Sequence, residues 1–291
     1  MSLTSDQRSR DFLKIADQFK LGALTTETSH PVTANLSDVA RKDIAAGLKQ
    51  LFDVDDDVVR KYREFVESGH ARGIADTLRD ALKDGGKVFF TGCGSTGRLS
   101  IQLVSIWRDF WQRSGRADAK DWENRAFPVM AGGDFALIKA VEGFEDFTSF
   151  GKKQIGDLGV CAKDVVFAIT EGGETSFVIG TAWKGVEVGA KVYFVYNNPD
   201  DILCQHVQRS REVIQDARIE KINITTGPMG ITGSTRMQAT SMELSVMVTV
   251  LEMVVRDLVG RTGVSPVSES PENGDRRDAC PTEFLAQLTE L

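Results

Sequence analysis

Apolar and polar residues divide the chain into a helical first part and an alternating second part. Between residues 36 and 84 apolar residues recur three and four positions apart, as in LSDVARKDIAAGLKQLF, and this spacing predicts amphipathic helices. From residue 87 onward, short apolar runs of the kind that form buried strands alternate with helical stretches. These runs are KVFFT (87–91), AFPVM (126–130), VVFAIT (165–170), KVYFVYNN (191–198) and KINITT (221–226).

Strands separated by helices predict right-handed βαβ crossovers and a parallel sheet that is covered on both faces. We therefore expect an α/β protein, a three-layer αβα sandwich with a five-stranded parallel sheet preceded by N-terminal helices. After the first strand we expect a helix from about Gly97 to Arg113, and after the fifth strand a long helix that starts near Ser234.

The domain organisation follows from shifts in composition. We expect an N-terminal segment with helices over residues 1–84 and the sheet domain over 85–263. Residues 264–291 begin with VSPVSESPENGDRRDACP, which is rich in Ser, Pro and charge and is typical of a linker. The last residues, TEFLAQLTEL, predict a short helix, so the linker leads either to a docking helix or towards a second domain outside this sequence.

Composition excludes several classes of function. A net charge of -7 and a pI near 5.2 argue against general nucleic-acid binding. The start of the chain has no signal-peptide core and no apolar run reaches membrane-spanning length, so we expect a cytoplasmic protein without membrane contact. The four cysteines form no C-x-x-C pair, which favours a reduced protein. The three histidines show no zinc-binding spacing, so we expect surface or loop histidines and no metal site.

The loop after the first strand, TGCGSTGR, has the spacing G-x-G-x-x-G at Gly92, Gly94 and Gly97. A dinucleotide site would need an acidic residue about 20 residues further on, at the end of the second strand. That distance falls in the polar stretch QRSGRADAK, and the first acid after the second strand is Asp134. No G-K-[ST] follows the loop, which excludes an NTPase P-loop. We therefore predict neither a dinucleotide nor any other cofactor.

The same loop carries Ser95 and Thr96 at the start of a helix, where small hydroxyls and free backbone N–H groups suit a compact phosphate. Both hydroxyls could instead merely cap the helix, and on this loop alone the two interpretations are about even. Two other strand ends carry similar hydroxyls, which are Thr170, Thr175 and Ser176 after the third strand, and Thr232, Ser234 and Thr235 after the fifth. Because the carboxyl ends of parallel strands share one crevice, these turns together predict a site for a sugar phosphate or a similar small phosphate.

Four ordered motifs resemble those of the sugar isomerase (SIS) domain family. They are LTTETSHPVTANLS, TGCGSTGR, AGGDFALIKAVEGFED and GITGSTRM, and the resemblance runs from about residue 24 to 260. Within the family, the motifs are similar to the branch that holds N-acetylmuramic acid 6-phosphate etherase and the glucokinase regulatory protein.

The resemblance implies that Ser95, Thr96 and the GGETS turn hold the phosphate. It also assigns a pocket role to Glu145, which the residues alone would indicate to be a solvated acid at a helix end. The sugar-phosphate-binding residues expected in this way are Gly92, Gly94, Ser95, Thr96, Gly97, Glu145, Thr170, Gly173, Thr175, Ser176 and Ser234.

Several positions depart from the etherase pattern. The etherases carry a glutamate in a D-A-S-E-C run on the first helix, and Ile106 stands at that place, with Asp109 as the nearest acid. The etherase S-G-R-T turn is G-G-E-T here, which exchanges an arginine for Glu174, and the usual lysine after S-S-R-M is Gln238. Fewer cations and an added anion predict weaker binding of a dianionic phosphate.

We therefore expect a binding domain with a regulatory role, similar to the glucokinase regulatory protein, which shares the G-C-G loop. Two enzyme interpretations stay open. One is an etherase-like lyase that uses Glu145, and the other is an aldose–ketose isomerase that uses Glu171 or Glu174. Because SIS domains commonly pair, we expect a homodimer or a second SIS domain as partner, and a sugar kinase is a candidate regulated protein.

Overall fold

The structure is a computed structural model that describes residues 4–14, 16, 21–139, 141 and 143–260. The predicted linker and C-terminal helix lie outside the described residues. The helices are α1 (Ser5–Leu13), α2 (Leu36–Lys42), α3 (Ile44–Glu67), α4 (His70–Lys83), α5 (Gly94–Arg113), α6 (Ala119–Glu123), α7 (Phe135–Ile138), α8 (Thr148–Asp157), α9 (Ser176–Glu187), α10 (Asp200–His206), α11 (Gln208–Gln215) and α12 (Gln238–Val259). The strands are β1 (Val88–Gly92), β2 (Ala126–Met130), β3 (Val165–Ile169), β4 (Lys191–Tyr196) and β5 (Ile219–Asn223).

The five strands form one parallel sheet in the order β2-β1-β3-β4-β5, which confirms the predicted fold class. The order is that of a doubly wound sheet, in which the chain runs outward from the centre first in one direction and then in the other. Strand β2 forms one edge of the sheet, and Pro128 lies within it. Proline has no backbone N–H to donate to a neighbouring strand, and an edge strand tolerates this because one of its sides has no neighbour.

Side chains alternate between the two faces of the sheet and form two hydrophobic cores. On one face Phe90, Phe167 and Tyr193 stack on neighbouring strands, with ring centroids 5.4 and 5.0 Å apart, and they pack under α3, α4, α5 and α12. On the other face Phe89 and Phe194 belong to a second core that is covered by α8, α9 and the α10–α11 pair. Helices on both faces complete the three-layer αβα sandwich.

The tryptophans of α5 belong to the first core. Trp107 and Trp111 are both buried, and Trp107 Nε1 donates to the carbonyl oxygen of Trp122 at 2.7 Å. The ring of Trp111 stacks on Trp122 with centroids 5.5 Å apart. Their spacing of four residues therefore serves helix packing. Among the residues described, no helix is long and apolar enough to cross a membrane.

The starts of three elements differ from the prediction by two residues or more. Helix α5 starts at Gly94, one turn earlier than Gly97, because Thr96 Oγ1 accepts from the Cys93 N–H at 3.1 Å and donates to the Cys93 carbonyl at 2.7 Å. Strand β5 starts two residues earlier than expected. Helix α12 starts at Gln238, later than expected, because the Gln238 side chain accepts from the Gly230 N–H at 3.0 Å and fixes the preceding residues as a loop.

Candidate functional site

The order of the strands locates a crevice at the carboxyl ends of β1 and β3. The chain leaves β1 towards one side of the sheet and leaves β3 towards the other, so the loops after these strands diverge and leave a gap between them. Ligands of doubly wound sheets bind at such a point. The two loops here are the G-x-G-x-x-G turn and residues 170–176, which are two of the three hydroxyl-rich turns singled out by the sequence.

The turn between β1 and α5 is shaped by glycines. A Cβ atom on Gly92 would lie 2.5 Å from the backbone carbon and oxygen of Thr96, so only glycine allows the helix to begin directly after the strand. Gly97 allows the helix to approach β2, because a Cβ there would lie 2.6 Å from the Met130 side chain. The first turn of α5, with the partly exposed hydroxyl of Ser95, therefore points its N–H groups into the crevice.

The turn after β3 meets this helix end directly. Ser95 Oγ donates a hydrogen bond to Glu171 Oε1, and Thr240 Oγ1 donates to the same oxygen at 3.0 Å. Glu171 is buried, with 9% of its surface exposed. Thr170 and Thr175 bond each other at 3.0 Å, so these two predicted hydroxyls satisfy one another within the turn.

The remaining predicted positions of this turn lie close by. Ser176 begins α9 and is partly exposed, and Gly173 is buried with its carbonyl oxygen held by Ser210 Oγ at 2.7 Å. Gly94 is the exposed first residue of α5, at a φ of 54°.

Glu145 lies beside the same turn. Its carboxylate accepts from Cys93 Sγ at 3.2 Å, and its carbonyl oxygen accepts from the Phe177 N–H at 2.8 Å. Burial, together with the carboxylates of Glu145 and Glu171, raises the pKa of the Cys93 thiol. Cys93 is therefore a poor nucleophile. Glu145 itself is exposed at the edge of the crevice, where it is accessible to a ligand.

The N-terminal segment closes another side of the crevice. The backbone N–H of Thr26 donates to Asn198 Oδ1 at 3.2 Å, and Asn198 Nδ2 donates to Thr26 Oγ1 at 3.0 Å and to the Gly172 carbonyl at 2.9 Å. Ser29 Oγ lies 2.6 Å from Thr232 Oγ1. Segment 25–33 therefore links the turns that follow β3, β4 and β5.

His30 corrects one expectation from the sequence. It is buried, its Nε2 lies 3.0 Å from Asp57 Oδ2, and its Nδ1 accepts from the Val32 N–H at 3.1 Å. Its own N–H donates to the Met229 carbonyl at 3.2 Å. His30 therefore anchors the N-terminal segment to α3 and to the loop after β5. Within the described residues, no group of His, Cys, Asp and Glu could hold a metal ion.

The third hydroxyl-rich turn contributes differently from the prediction. Because α12 begins at Gln238, Thr232, Ser234 and Thr235 lie in the loop before the helix and not at its N-terminus. Ser234 is partly exposed, and its N–H donates to the Ile231 carbonyl at 2.9 Å. The hydroxyl that does reach the crevice from this part of the chain is that of Thr240, which hydrophobic and motif patterns did not indicate.

The crevice is acidic. Glu174, which stands where the etherases have arginine, pairs with Arg209 at 2.7 Å. Burial raises the pKa of Glu174, and the charges of Glu145 and Glu27 act in the same direction while Arg209 opposes them. The extra anion expected at Glu174 is therefore compensated by an arginine of α11. In the two hydrogen bonds given above, the carboxylate of Glu171 accepts from hydroxyl groups and not from a cation.

A second buried acid lies behind Glu171. Glu243 of α12 is fully buried, and its Oε1 accepts from Asn197 Nδ2 at 3.1 Å. Burial and the neighbouring charge of Glu171 raise the pKa of Glu243 well above its usual range, which favours the neutral form of this acid in the folded protein. Asn197 Oδ1 and Glu243 Oε2 have no hydrogen-bond partner among the described residues.

Ile106 and Asp109 lie far from these turns. Eleven residues separate Ser95 from Ile106, which places Ile106 about 16 Å along the axis of α5. Ile106 is 39% exposed, and Asp109 pairs with Arg113 at 2.8 Å on the surface. A side chain at position 106 is too far away to contact a ligand in the crevice of the same chain. The exchange of the etherase glutamate for Ile106 therefore leaves the acids of this crevice unchanged.

The structure thus brings together, at one crevice, the first turn of α5, residues 170–176 and Glu145, and it leaves Ser234 in a loop at its border. Sequence analysis missed Asn198 and Arg209, which are ordinary polar residues in helical or strand-end positions. A surface cavity of 360 Å³ lies at the opposite edge of the sheet, next to Lys87 and Arg125, and contains none of these residues.

Comparisons with known proteins agree with the motifs. Residues 71–183 match the family model of the glucokinase regulatory protein N-terminal SIS domain. N-acetylmuramic acid 6-phosphate etherase of Yersinia pestis (strain Pestoides F) is 31% identical over 219 residues, which cover 75% of this chain and 66% of the relative. The same enzyme of Yersinia pseudotuberculosis (serotype O:1b, strain IP 31758) matches to the same extent. The chain therefore spans slightly less than two thirds of the length of these relatives.

Among solved structures, a phosphoheptose isomerase from Francisella tularensis superposes with a TM-score of 0.49 and 15% identity, over 72% of this chain and 98% of the other. The family model, the relatives and the five-stranded parallel sheet together identify the chain as a member of the SIS domain family. Its matches lie in the branch that the four motifs predicted.

Proposed function

We propose that the chain is a sugar-phosphate-binding SIS domain with a regulatory role. The phosphate binds at the N-terminus of α5, where the Ser95 hydroxyl and the backbone N–H groups of the first turn supply donors, while the buried Thr96 hydroxyl, which bonds to Cys93, shapes the turn. The turn over residues 170–176 and Glu145 contact the sugar. The observation that carries the proposal is the meeting of Ser95 with residue 171 across the gap between β1 and β3, where doubly wound sheets bind their ligands.

Two observations support a regulatory role. The family model that matches residues 71–183 is that of a regulatory protein. The crevice also holds more acids than the etherase pattern would give, and this arrangement favours a reversible ligand of modest affinity. We propose a cytoplasmic protein that pairs with a second copy or with a second SIS domain, and a sugar kinase as a candidate for the regulated protein.

The first experiment measures binding by isothermal titration calorimetry and thermal shift, with fructose 6-phosphate, glucose 6-phosphate and N-acetylmuramic acid 6-phosphate as probes. We expect at least one probe to bind and to raise the melting temperature with increasing concentration, as mass action requires. Ser95→Ala should weaken binding about ten-fold, because it removes one hydrogen bond to a charged group. Ser105→Ala, an exposed serine on the same helix, is the matched control.

Two results would refute the proposal. One is the absence of saturable binding for all three probes. The other is a Ser95→Ala variant that binds as tightly as the Ser105→Ala control, which would place the ligand away from the N-terminus of α5.

An etherase-like lyase is the second candidate, because the curated relatives are etherases and Glu145 lies exposed beside the turn. Such an enzyme removes a proton next to the sugar carbonyl centre, breaks the ether bond and releases lactate, which is general acid–base chemistry for a carboxylate. The test is incubation with N-acetylmuramic acid 6-phosphate and detection of lactate by mass spectrometry, with Glu145→Gln as the inactive control. Conversion of glucose 6-phosphate to fructose 6-phosphate in a parallel incubation would instead point to Glu171 or Glu174 as the acid–base group.

A further inference from the structure

We propose that Glu171 sets the charge selectivity of the pocket, because its carboxylate accepts the hydrogen bond of Ser95, a donor that a bound phosphate needs. The inference rests on the sugar-phosphate site proposed above and names the residue that decides which head group the site accepts. Sequence analysis considered Glu171 only as a possible acid–base group of an isomerase.

The geometry places an anion of the protein where a phosphate would bind. Glu171 Oε1 accepts from Ser95 Oγ, which belongs to the first turn of α5, and from Thr240 Oγ1 at 3.0 Å. The first turn of α5 contains no acidic residue of its own, so the anion at this helix end comes from the β3–α9 turn. Helix N-termini stabilise negative charge through their unpaired N–H groups, and the bond to Ser95 places the Glu171 carboxylate at this helix end.

The backbone holds Glu171 in place. Its carbonyl oxygen accepts from the Asn197 N–H at 3.1 Å, which ties the residue to the end of β4. With 9% of its surface exposed, the side chain has little room to turn towards solvent. The negative charge of Glu171 is also felt by its neighbours, since it contributes to the raised pKa of both Cys93 and Glu243.

Two arginines lie near this helix end, and Arg98 Nη1 donates to the Gly94 carbonyl oxygen at 3.2 Å. Arg209 reaches the turn, but it pairs with Glu174. Glu145 lies on the far side of Cys93 and adds another carboxylate. A ligand phosphate must therefore share the N-terminus of α5 with Glu171 or displace its carboxylate from Ser95.

Repulsion by Glu171 grows with the charge of the ligand. A phosphate monoester carries nearly two negative charges at pH 8, because its second pKa is about 6. A sulfate monoester has the same tetrahedral shape and carries one charge. Removal of the Glu171 charge should therefore increase the affinity for the phosphate more than the affinity for the sulfate.

The experiment compares glucose 6-phosphate with glucose 6-sulfate by titration calorimetry at pH 8. The proteins are the wild type, Glu171→Gln, which removes the charge and keeps the shape, and Glu171→Ala, which also releases Ser95. We expect Glu171→Gln to bind the phosphate at least about ten-fold more tightly than the wild type. Its affinity for the sulfate should increase by about the square root of that factor. Glu171→Ala should show the same order of gains.

Glu187→Gln is the control, because it removes one charge from the exposed C-terminal end of α9, where Glu187 pairs with Lys152. Far-UV circular dichroism and urea unfolding verify that each variant is folded, and either Glu171 variant alone suffices for the comparison. Equal gains for both esters, or no gain, with normal wild-type binding would overturn this inference and leave the proposed site intact. If neither ester binds saturably to the wild type or to a Glu171 variant, both the inference and the proposed function fail.

Discussion

Glu243 makes the stability of the fold depend on pH in a way that one substitution should remove. In the unfolded chain a glutamate has a pKa of about 4.3, whereas burial and the charge of Glu171 raise the pKa of Glu243 in the folded state. Between these two pKa values the folded protein binds a proton that the unfolded chain releases. The free energy of unfolding therefore falls as pH rises through this interval, and the full contribution is present only below the unfolded pKa.

The magnitude follows from linkage. One proton of difference changes the free energy of unfolding by about 1.4 kcal/mol per pH unit. This loss accumulates over the interval between the unfolded and folded pKa values and stops when Glu243 ionises in the folded state. Glu243→Gln keeps an oxygen that accepts from Asn197 Nδ2 and has no proton to lose. We therefore expect the variant to match the wild type near pH 4 and to be more stable at pH 7.

The assay is urea unfolding of the wild type and of Glu243→Gln at half-unit steps from pH 4 to pH 8. The quantity of interest is the difference between the two free energies of unfolding, because other titrating groups contribute equally to both proteins. This difference should increase with pH and then become constant above the folded-state pKa of Glu243. Glu252→Gln, an exposed position on the same helix paired with Arg256, should give a flat difference. A flat difference for Glu243→Gln as well would refute the argument.

Three further predictions concern the walls of the crevice. Gly92→Ala should lower the free energy of unfolding by about 3 kcal/mol or more, because the new Cβ would lie 2.5 Å from the Thr96 backbone. The control Gly22→Ala, at a position with open space around it, should change the free energy of unfolding by less than about 0.5 kcal/mol. Asn198→Ala should lower the free energy of unfolding, measured with urea, by about 3 kcal/mol, because it leaves the buried Thr26 N–H and hydroxyl without their partner. A loss no larger than that of Asn124→Ala, at an exposed position, would contradict this. Iodoacetamide at pH 8 should modify the exposed Cys161 at least about ten-fold faster than Cys93, because the pKa of the Cys93 thiol is raised. Peptide mass spectrometry follows both rates, and equal rates would show that the Cys93 thiol is not held by Glu145.

The central strands β1, β3 and β4 were predictable because each is a short apolar run that is buried on both faces almost throughout. Strand β2 matches its predicted bounds of 126–130, including the edge proline. The start of α5 was placed one turn too late because a glycine-rich stretch is typical of a loop, and only the bonds between Cys93 and Thr96 close the helix earlier. The start of α12 depends on Gln238 and Gly230, a contact between residues that sequence periodicity cannot relate to each other.

The candidate site was predictable where it depends on residue types at strand ends. Ser95, Thr96 and the residues 170–176 were found in this way, and Glu145 was found through the family resemblance. Charge compensation was not predictable, because Arg209 lies 35 positions beyond Glu174 and nothing in the local sequence relates them. The same holds for Thr240 and Glu171, which are separated by 69 positions and meet only because α12 packs against the carboxyl edge of the sheet.

The bond between Thr26 and Asn198 has a consequence for the order of events during synthesis. The two residues are 172 positions apart, so a ribosome that adds about 5–20 residues per second needs about 9–34 s to reach Asn198 after Thr26. During this interval segment 25–33 lacks the turn that carries Asn198. The crevice can therefore be completed only after β4 and β5 have been made, and a nascent chain that is interrupted before β4 carries the glycine turn without one of its walls.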